Sequence, residues 1–268
     1  MLTFVGLGLY DETSITREGA TAVASADRVY LEAYTSVLPG AHPDALEAAH
    51  DVDIEVLGRE AIERHPDRLL DAAETDQVAL LVGGDPMIAT THVDLRLRAH
   101  DRGIETRIVH GTSAATAAAG LTGLQQYRFG QATTLPFPDN APGGPVPPSV
   151  LDVIEANTDR GLHTLVFLDL SLDDVDRQVL ASELPDRCLD ATTAAELLAQ
   201  ELDDRLAVAV ARAGSRSPRV IADTLGGLAN RSFGPPLHLL VLPGNLHDME
   251  REALTAFAEG SSAAIERH

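Results

Sequence analysis

The chain has 268 residues, with 20 Lys and Arg against 41 Asp and Glu, a formal net charge of -21, one cysteine and no lysine. A field this negative repels nucleic acids and anionic membranes, which excludes general binding through a basic patch. A lone Cys188 excludes a disulfide framework and any multi-cysteine zinc or iron–sulfur site. With 44% hydrophobic residues, the composition is that of a folded chain and not of a disordered one.

The start of the chain is apolar but short. No apolar run approaches the roughly 20 residues that span a bilayer. Residues 1–9 lack a basic flank and lead directly into Asp11 and Glu12, which predicts a first strand and not a signal peptide. We expect a soluble, cytoplasmic protein.

Strand-like and helix-like segments alternate along the chain, which predicts an α/β fold. Strands are predicted at residues 2–5, 28–31, 77–82, 105–109, 162–168, 206–211 and 236–242. Helices are predicted at residues 16–26, 43–49, 90–102, 194–202 and 247–258. The small residues of 113–119 suit tight helix packing or a ligand at a helix start, and the proline-rich segment 136–148 predicts a long loop. We expect two α/β domains, residues 1–112 and 113–268.

Two glycine-containing turns follow predicted strands. Gly6-Leu7-Gly8 lacks the third glycine of the dinucleotide fingerprint, and Asp11 at the sixth position would repel a pyrophosphate. These glycines therefore favour close approach of another ligand, or else a tight turn. Gly83-Gly84-Asp85-Pro86 follows the most apolar strand of the first half, where ligands bind in open α/β sheets. Asp85 is thus a candidate site residue or a simple helix cap, with Pro86 expected to open the next helix.

Other catalytic patterns are missing from the sequence. The ten histidines show no HExxH or H-x-H spacing, so a metal site has no support. There is no G-x-S-x-G motif, and a Walker A motif cannot form without lysine. A nucleophilic hydrolase or a P-loop enzyme is not expected.

Several segments together resemble one family, nearly end to end and in the same order. They are Phe4-Val-Gly-Leu-Gly-Leu-Tyr-Asp11, Glu32-Ala-Tyr-Thr-Ser36, Gly84-Asp-Pro-Met-Ile-Ala-Thr-Thr-His92, Arg160-Gly-Leu-His-Thr-Leu-Val-Phe-Leu-Asp169, Ala211-Arg-Ala-Gly-Ser215, Pro236-Leu-His238 and Pro243-Gly-Asn-Leu-His247. Gly-Asp-Pro alone is typical of the wider tetrapyrrole methylase-like class. The remaining segments resemble diphthine synthases, and with the acidic composition they point to a halophilic archaeon.

The resemblance implies a homodimeric enzyme of two α/β domains, with S-adenosylmethionine in the cleft between them and no metal. It would methylate the amino group of 2-(3-amino-3-carboxypropyl)histidine on translation elongation factor 2, a step of diphthamide synthesis. The family's cofactor positions fall on Leu9, Asp85, Ile88, Ser113, Ala114, Leu168, Ala213 and His238. Two departures from the family pattern are His110-Gly-Thr before Ser113 and the small side chain of Ala114.

Methyl transfer from a sulfonium is an in-line displacement that needs alignment and a neutral acceptor amine. No general base is identified from the sequence. Asp85 is expected to orient the cofactor, and Asp169 is a candidate for contact with the amine or a structural strand-end residue. Two other functions remain open, namely a C-methyltransferase acting on a tetrapyrrole of the cobalt-precorrin type and a non-catalytic binding scaffold.

The acidic composition predicts that stability depends on salt. In molar salt the Debye length is roughly 3 Å, so the self-repulsion of excess carboxylates is screened. We expect the melting temperature to rise between dilute buffer and molar KCl. A melting temperature that is independent of salt would instead indicate an acidic protein from a GC-rich mesophile.

Overall fold

The computed structural model describes residues 1–140, 143–172 and 188–268. They form two compact units. The first contains Met1–Ala114 with residues 171–172, and the second contains Ala115–Leu170 with residues 188–268. The domain boundary expected after residue 112 stays a prediction.

The first unit is built on a parallel sheet. Its strands are β1 (Leu2–Gly6), β2 (Arg28–Glu32), β3 (Ile54–Leu57), β4 (Val78–Val82) and β5 (Thr106–Val109), in the order β3-β2-β4-β1-β5. Its helices are α1 (Arg17–Ala24), α2 (Pro43–His50), α3 (Asp67–Thr75) and α4 (His92–Asp101), with a 3-10 turn at Glu12–Ser14 and a π-helix at Glu60–Arg64. The next helix, α5 (Ala114–Thr122), begins at the last residue of the segment Met1–Ala114, and its other residues belong to the second unit.

The apolar run of β4 explains its central place. All five of its residues are buried, and it pairs in parallel with β1 and β2, so that Leu80 lies opposite both Phe4 and Tyr30. A strand with neighbours on both edges and helices on both faces must be apolar throughout. This confirms the α/β class predicted from the alternation.

The second unit contains a mixed sheet. Its strands are β6 (Thr133–Leu135), β7 (Thr164–Leu168), β8 (Leu206–Ala211), β9 (Arg219–Thr224), β10 (His238–Leu242) and β11 (Glu259–Gly260), in the order β11-β9-β8-β10-β7-β6. The pairs β6–β7 and β9–β11 are parallel, and the other neighbours are antiparallel. Helices α6 (Pro148–Asp159), α7 (Ala191–Glu201), α8 (Leu225–Leu228), α9 (Asp248–Phe257) and α10 (Ser262–Arg267) accompany it, with 3-10 turns at Gln126–Arg128 and Pro138–Asn140.

Each unit has its own hydrophobic core. In the first, Phe4 and Leu80 of the sheet pack with side chains of α3 such as Leu70. In the second, Val166 and Leu240 of the sheet belong to a separate core cluster.

The structure corrects two expectations. Pro86 does not open a helix, because residues 86–91 form turns and bends and α4 begins only at His92. The segment 136–148 is not wholly irregular, since it includes the turn Pro138–Asn140 and ends on the first residue of α6, while residues 141–142 lie outside the described part. The structure also contains several elements that the sequence did not predict: β3, the π-helix, α3, β6, α6, β9, α8, β11 and α10.

Three backbones meet closely at the carboxyl ends of β1, β4 and β5. Gly8, with a φ of 72°, exchanges hydrogen bonds of 3.1 and 2.7 Å with Gly84 across a single bridge. A Cβ on Gly6 would lie 2.5 Å from Gly111 N and 2.7 Å from Gly84 O. These glycines therefore allow three segments of this chain to contact one another through their backbones. This favours the tight-turn interpretation of Gly6-Leu7-Gly8.

We expect Gly6→Ala to destabilise the protein by about 1–3 kcal/mol, because the added methyl group overpacks against backbone that cannot rotate away. Gly120→Ala is the matched control, since Gly120 lies in α5 with nothing within 4 Å of its Cβ position. Alanine there gains about 0.5–1 kcal/mol of helix propensity. Chemical denaturation measures both changes, and equal stability of the two variants would contradict the packing argument.

Candidate functional site

Five of the eight expected cofactor residues gather at one edge of the first sheet. Leu9 follows β1, Asp85 and Ile88 follow β4, and Ser113 and Ala114 follow β5. Since β1 lies between β4 and β5, the three loops are neighbours at the carboxyl ends of parallel strands. Ligands of open α/β sheets bind at such edges.

Asp85 ties two of these loops together. Its side chain is 7% exposed, and its Oδ1 accepts a hydrogen bond of 2.9 Å from Met87 N. Its Oδ2 accepts from His110 Nδ1 at 2.8 Å and from Gly111 N at 3.3 Å. Asp85 does not cap a helix, because α4 begins only at His92; it organises a turn and links the loop after β4 to the loop after β5. Its role as a site residue stays a prediction.

His110 is the residue of this edge whose role the sequence analysis missed. Its side chain is 73% exposed, although its Nδ1 lies 2.8 Å from the buried Asp85 carboxylate. In the sequence, His110 is notable only as part of His110-Gly-Thr, a segment that departs from the family pattern. The signal that could have found it is topological, since a histidine directly after β5 must lie beside the loop that follows β4 or β1.

The three remaining expected residues gather at one edge of the second sheet. Strand β10 is antiparallel to both β7 and β8, with His238 opposite Ala211 and Leu239 opposite Phe167. The first residue of β10 therefore lies beside the last residue of β7, Leu168, and beside the end of β8. Ala213 follows that end after one residue, Arg212, whose amide donates to Leu237 O.

Both ring nitrogens of His238 form hydrogen bonds within the protein. Its Nδ1 accepts from Ala191 N at 3.2 Å and its Nε2 donates to Pro235 O at 3.1 Å, which fixes the neutral tautomer. Burial lowers the pKa of His238 below its ordinary value. A ligand at this edge therefore meets a neutral histidine, in which both ring nitrogens already have partners.

The segment Glu32–Ser36 has a structural role in the first unit. The buried carboxylate of Glu32 accepts hydrogen bonds from Tyr34 N at 2.6 Å and from the Thr35 hydroxyl at 2.6 Å, and burial raises its pKa. His92 donates from Nδ1 to Pro86 O at 2.8 Å, and its Nε2 lies 4.0 Å from Glu32 Oε2. His92, the first residue of α4, thus holds the loop after β4 in place through its hydrogen bond to Pro86 O.

A second buried pair has the same kind of role in the second unit. His163 Nε2 donates to Glu250 Oε1 at 3.0 Å, while Gly244 N donates to His163 Nδ1 at 3.0 Å. Burial lowers the pKa of His163. The carboxylate of Asp169 likewise accepts from backbone amides, from Leu170 N at 2.9 Å and more weakly from Phe137 N at 3.3 Å, which favours its structural interpretation.

The remaining observations concern the cysteine, possible metal ligands and membrane-spanning helices. Burial raises the pKa of the Cys188 thiol to about 12, which disfavours a thiolate nucleophile. Within residues 1–140, 143–172 and 188–268, no three His, Cys, Asp or Glu side chains are placed to hold a metal ion. No helix in the described part of the chain is long and apolar enough to cross a membrane.

Residues 1–229 match the family of Tetrapyrrole (Corrin/Porphyrin) Methylases. The chain belongs to this family. It is 55% identical to diphthine synthase of Haloquadratum walsbyi, over 97% of this chain and 95% of that one. It is also 55% identical to diphthine synthase of Halobacterium salinarum, over 99% of this chain and all of that one.

A crystal structure of diphthine synthase matches the fold, with a TM-score of 0.86 and 39% identity over 99% of this chain and 98% of that one. Together these similarities identify a methyltransferase of the diphthine synthase type within the family. The two relatives come from halophilic archaea, which supports the predicted adaptation to salt.

The lowered pKa values of His163 and His238 predict acid sensitivity. The unfolded chain binds these protons near the ordinary pKa of 6.5 and the folded chain binds them only at lower pH. The free energy of unfolding should therefore fall as pH drops below about 6.5, by up to about 1.4 kcal/mol per pH unit for each histidine.

His238→Asn tests one of the two contributions, because its amide oxygen can still accept from Ala191 N but does not titrate. We expect this variant to be less stable at pH 7 and to lose less stability between pH 7 and pH 5 than the wild type. Urea titration at both pH values measures the slope, with exposed His100→Asn as the control. An unchanged slope in His238→Asn would contradict the assignment.

Proposed function

We propose that this chain transfers methyl groups from S-adenosylmethionine to the amino group of 2-(3-amino-3-carboxypropyl)histidine on translation elongation factor 2, in diphthamide synthesis. The observation that carries this proposal is identity of 54–56% to diphthine synthases over at least 97% of the chain. The structure supports it because the expected cofactor residues gather within each unit and are not scattered.

We propose that these eight residues bind S-adenosylmethionine: Leu9, Asp85, Ile88, Ser113, Ala114, Leu168, Ala213 and His238. Gly84 leaves room at the first edge, because a Cβ placed on it would have no neighbour closer than the backbone of residues 112–113 at 4.0 Å. Ile88, 48% exposed, offers an apolar surface beside this gap. A glycine at such a position lets a ligand lie directly against the backbone.

The charges of the eight residues suit a sulfonium. Asp85 is the acidic member of the set, and the pKa of His238, lowered by burial, keeps the imidazole neutral. None of the eight therefore opposes the positive charge of the cofactor. When bound, S-adenosylmethionine supplies an electrophilic methyl group, and the chain needs only to align the acceptor and remove its proton.

We also propose that the chain acts in the cytoplasm as a homodimer. The protein substrate, elongation factor 2, acts there in translation. A protein acceptor further requires that the modified histidine reach the cofactor.

Asp85→Ala should weaken S-adenosylmethionine binding by at least about tenfold. The substitution leaves the amides of Met87 and Gly111 without their buried acceptor, and hydrogen bonds to charged groups contribute about 1.5–3 kcal/mol each. Calorimetric titration in molar KCl measures the affinity. Asp101→Ala, at the exposed end of α4, is the control and should bind like the wild type.

The acceptor is tested with labelled S-adenosylmethionine. Elongation factor 2 that carries the aminocarboxypropyl group should receive label, and elongation factor 2 with unmodified histidine should not. Label on a precorrin-type tetrapyrrole instead would favour the C-methyltransferase. Failure of the folded wild type to bind the cofactor would leave the scaffold interpretation.

A further inference from the structure

His110 and Asp85 form an exposed imidazole backed by a buried carboxylate. A carboxylate only accepts hydrogen bonds, so the contact of 2.8 Å requires a proton on His110 Nδ1. In the neutral ring the lone pair is then on Nε2. With 73% of the side chain exposed, this second nitrogen is available to another molecule.

The position of this pair matters because of its surroundings. His110 directly follows β5, and its partner Asp85 is one of the residues proposed to bind the cofactor. Ser113, another such residue, lies three positions further along the chain. An exposed proton acceptor thus lies at the edge of the sheet where the methyl donor is proposed to bind.

Methylation of an amine needs a proton acceptor. The acceptor is an aliphatic amine, which is largely protonated near neutral pH and then lacks the lone pair that attacks a methyl carbon. Asp85 cannot reach a substrate amine, because its carboxylate is buried and accepts from three donors of the protein. Histidine is the side chain that most often carries out such a proton transfer.

We propose that His110 is the general base that deprotonates the acceptor ammonium group, with Asp85 holding its tautomer, an inference that rests on the proposed function. The Nε2 lone pair takes one proton from the ammonium group and leaves a neutral amine and an imidazolium. The nitrogen lone pair then bonds to the methyl carbon while the electron pair of the carbon–sulfur bond passes to sulfur. The imidazolium returns its proton to water before the next transfer.

The charges around His110 favour this role. Asp85, on the loop after β4, is the ionic partner of the imidazole, and its negative charge stabilises the imidazolium. The residue that follows it, Gly111, carries no charged side chain. The arrangement resembles the orientation of a base by a buried carboxylate in hydrolases, here without a protein nucleophile.

His110→Asn isolates the proposed role. The asparagine amide can place a donor where Nδ1 lies and so keep the contact with Asp85, but it has no basic nitrogen. In molar KCl at pH 7 we expect the rate of methyl transfer to modified elongation factor 2 to fall by about 10²- to 10⁴-fold. The calorimetric affinity for S-adenosylmethionine should stay within about twofold, since no cofactor contact is removed.

The pH profile distinguishes a base from a residue that only supports the fold. As the pH rises toward the pKa of the acceptor amine, a growing share of the amine is already deprotonated in solution, so the deficit of His110→Asn should shrink. Added imidazole should partly restore transfer in His110→Ala at pH 7. The control, His100→Asn on the exposed part of α4, should match the wild type at every pH.

Three results would overturn the assignment: wild-type transfer by His110→Asn, a deficit that is equal at all pH values, or a loss of cofactor affinity that accounts for the lost rate. Each would be observed with an active wild type, so each rejects the base and leaves the proposed function standing. A wild type that binds the cofactor but methylates no form of elongation factor 2 would reject the proposed function, and this role with it.

Discussion

The buried carboxylate of Asp85 organises the edge of the first sheet at which the cofactor is proposed to bind. It accepts hydrogen bonds from donors of two loops, at Met87 on its own loop and at His110 and Gly111 on the loop after β5. A buried charge is costly unless it is fully paired, so this carboxylate fixes the positions of all three donors. The loops could not approach this closely with side chains between them, which explains the glycines at the ends of the strands.

Two buried histidines tie elements together in the second unit, and one of them pairs with the carboxylate of Glu250. His238 joins the start of β10 to the start of α7 through Ala191 N, and His163 joins β7 to α9 through Glu250. Both imidazoles are buried with both nitrogens in use, so their tautomers are set by the protein. Of the residues carried over from the family, Leu168 ends β7 and Ala213 lies two residues beyond the end of β8.

Much of the fold could be predicted because local patterns and tertiary structure agree. The run Val78–Val82 is apolar on both faces and becomes the buried β4, and Thr16 caps α1 by accepting from Gly19 N. Elements with weak patterns were missed. The β3 strand is half-buried at Glu55 and Val56, and α6 begins within a proline-rich segment that hides it.

The site was predictable in part for a different reason. The eight cofactor positions came from a resemblance, and the structure shows where each lies in its own unit. The pairing of Asp85 with His110 joins residues 25 positions apart in sequence, and no local pattern contains it. It follows only from the crossover that places β5 beside β1 and β1 beside β4. Strand order is a tertiary property, and it is the information that spacing alone lacks.

The most direct test of this account is the tautomer of His110, measured by long-range ¹H–¹⁵N correlation of the imidazole nitrogens at about pH 8, above the ordinary histidine pKa. The account predicts a proton on Nδ1 and a lone pair on Nε2, with the signals assigned by their loss in His110→Asn. A proton on Nε2 with an unprotonated Nδ1 would contradict it, because Asp85 would then have no donor from His110 and the exposed Nε2 would have no lone pair to accept a proton.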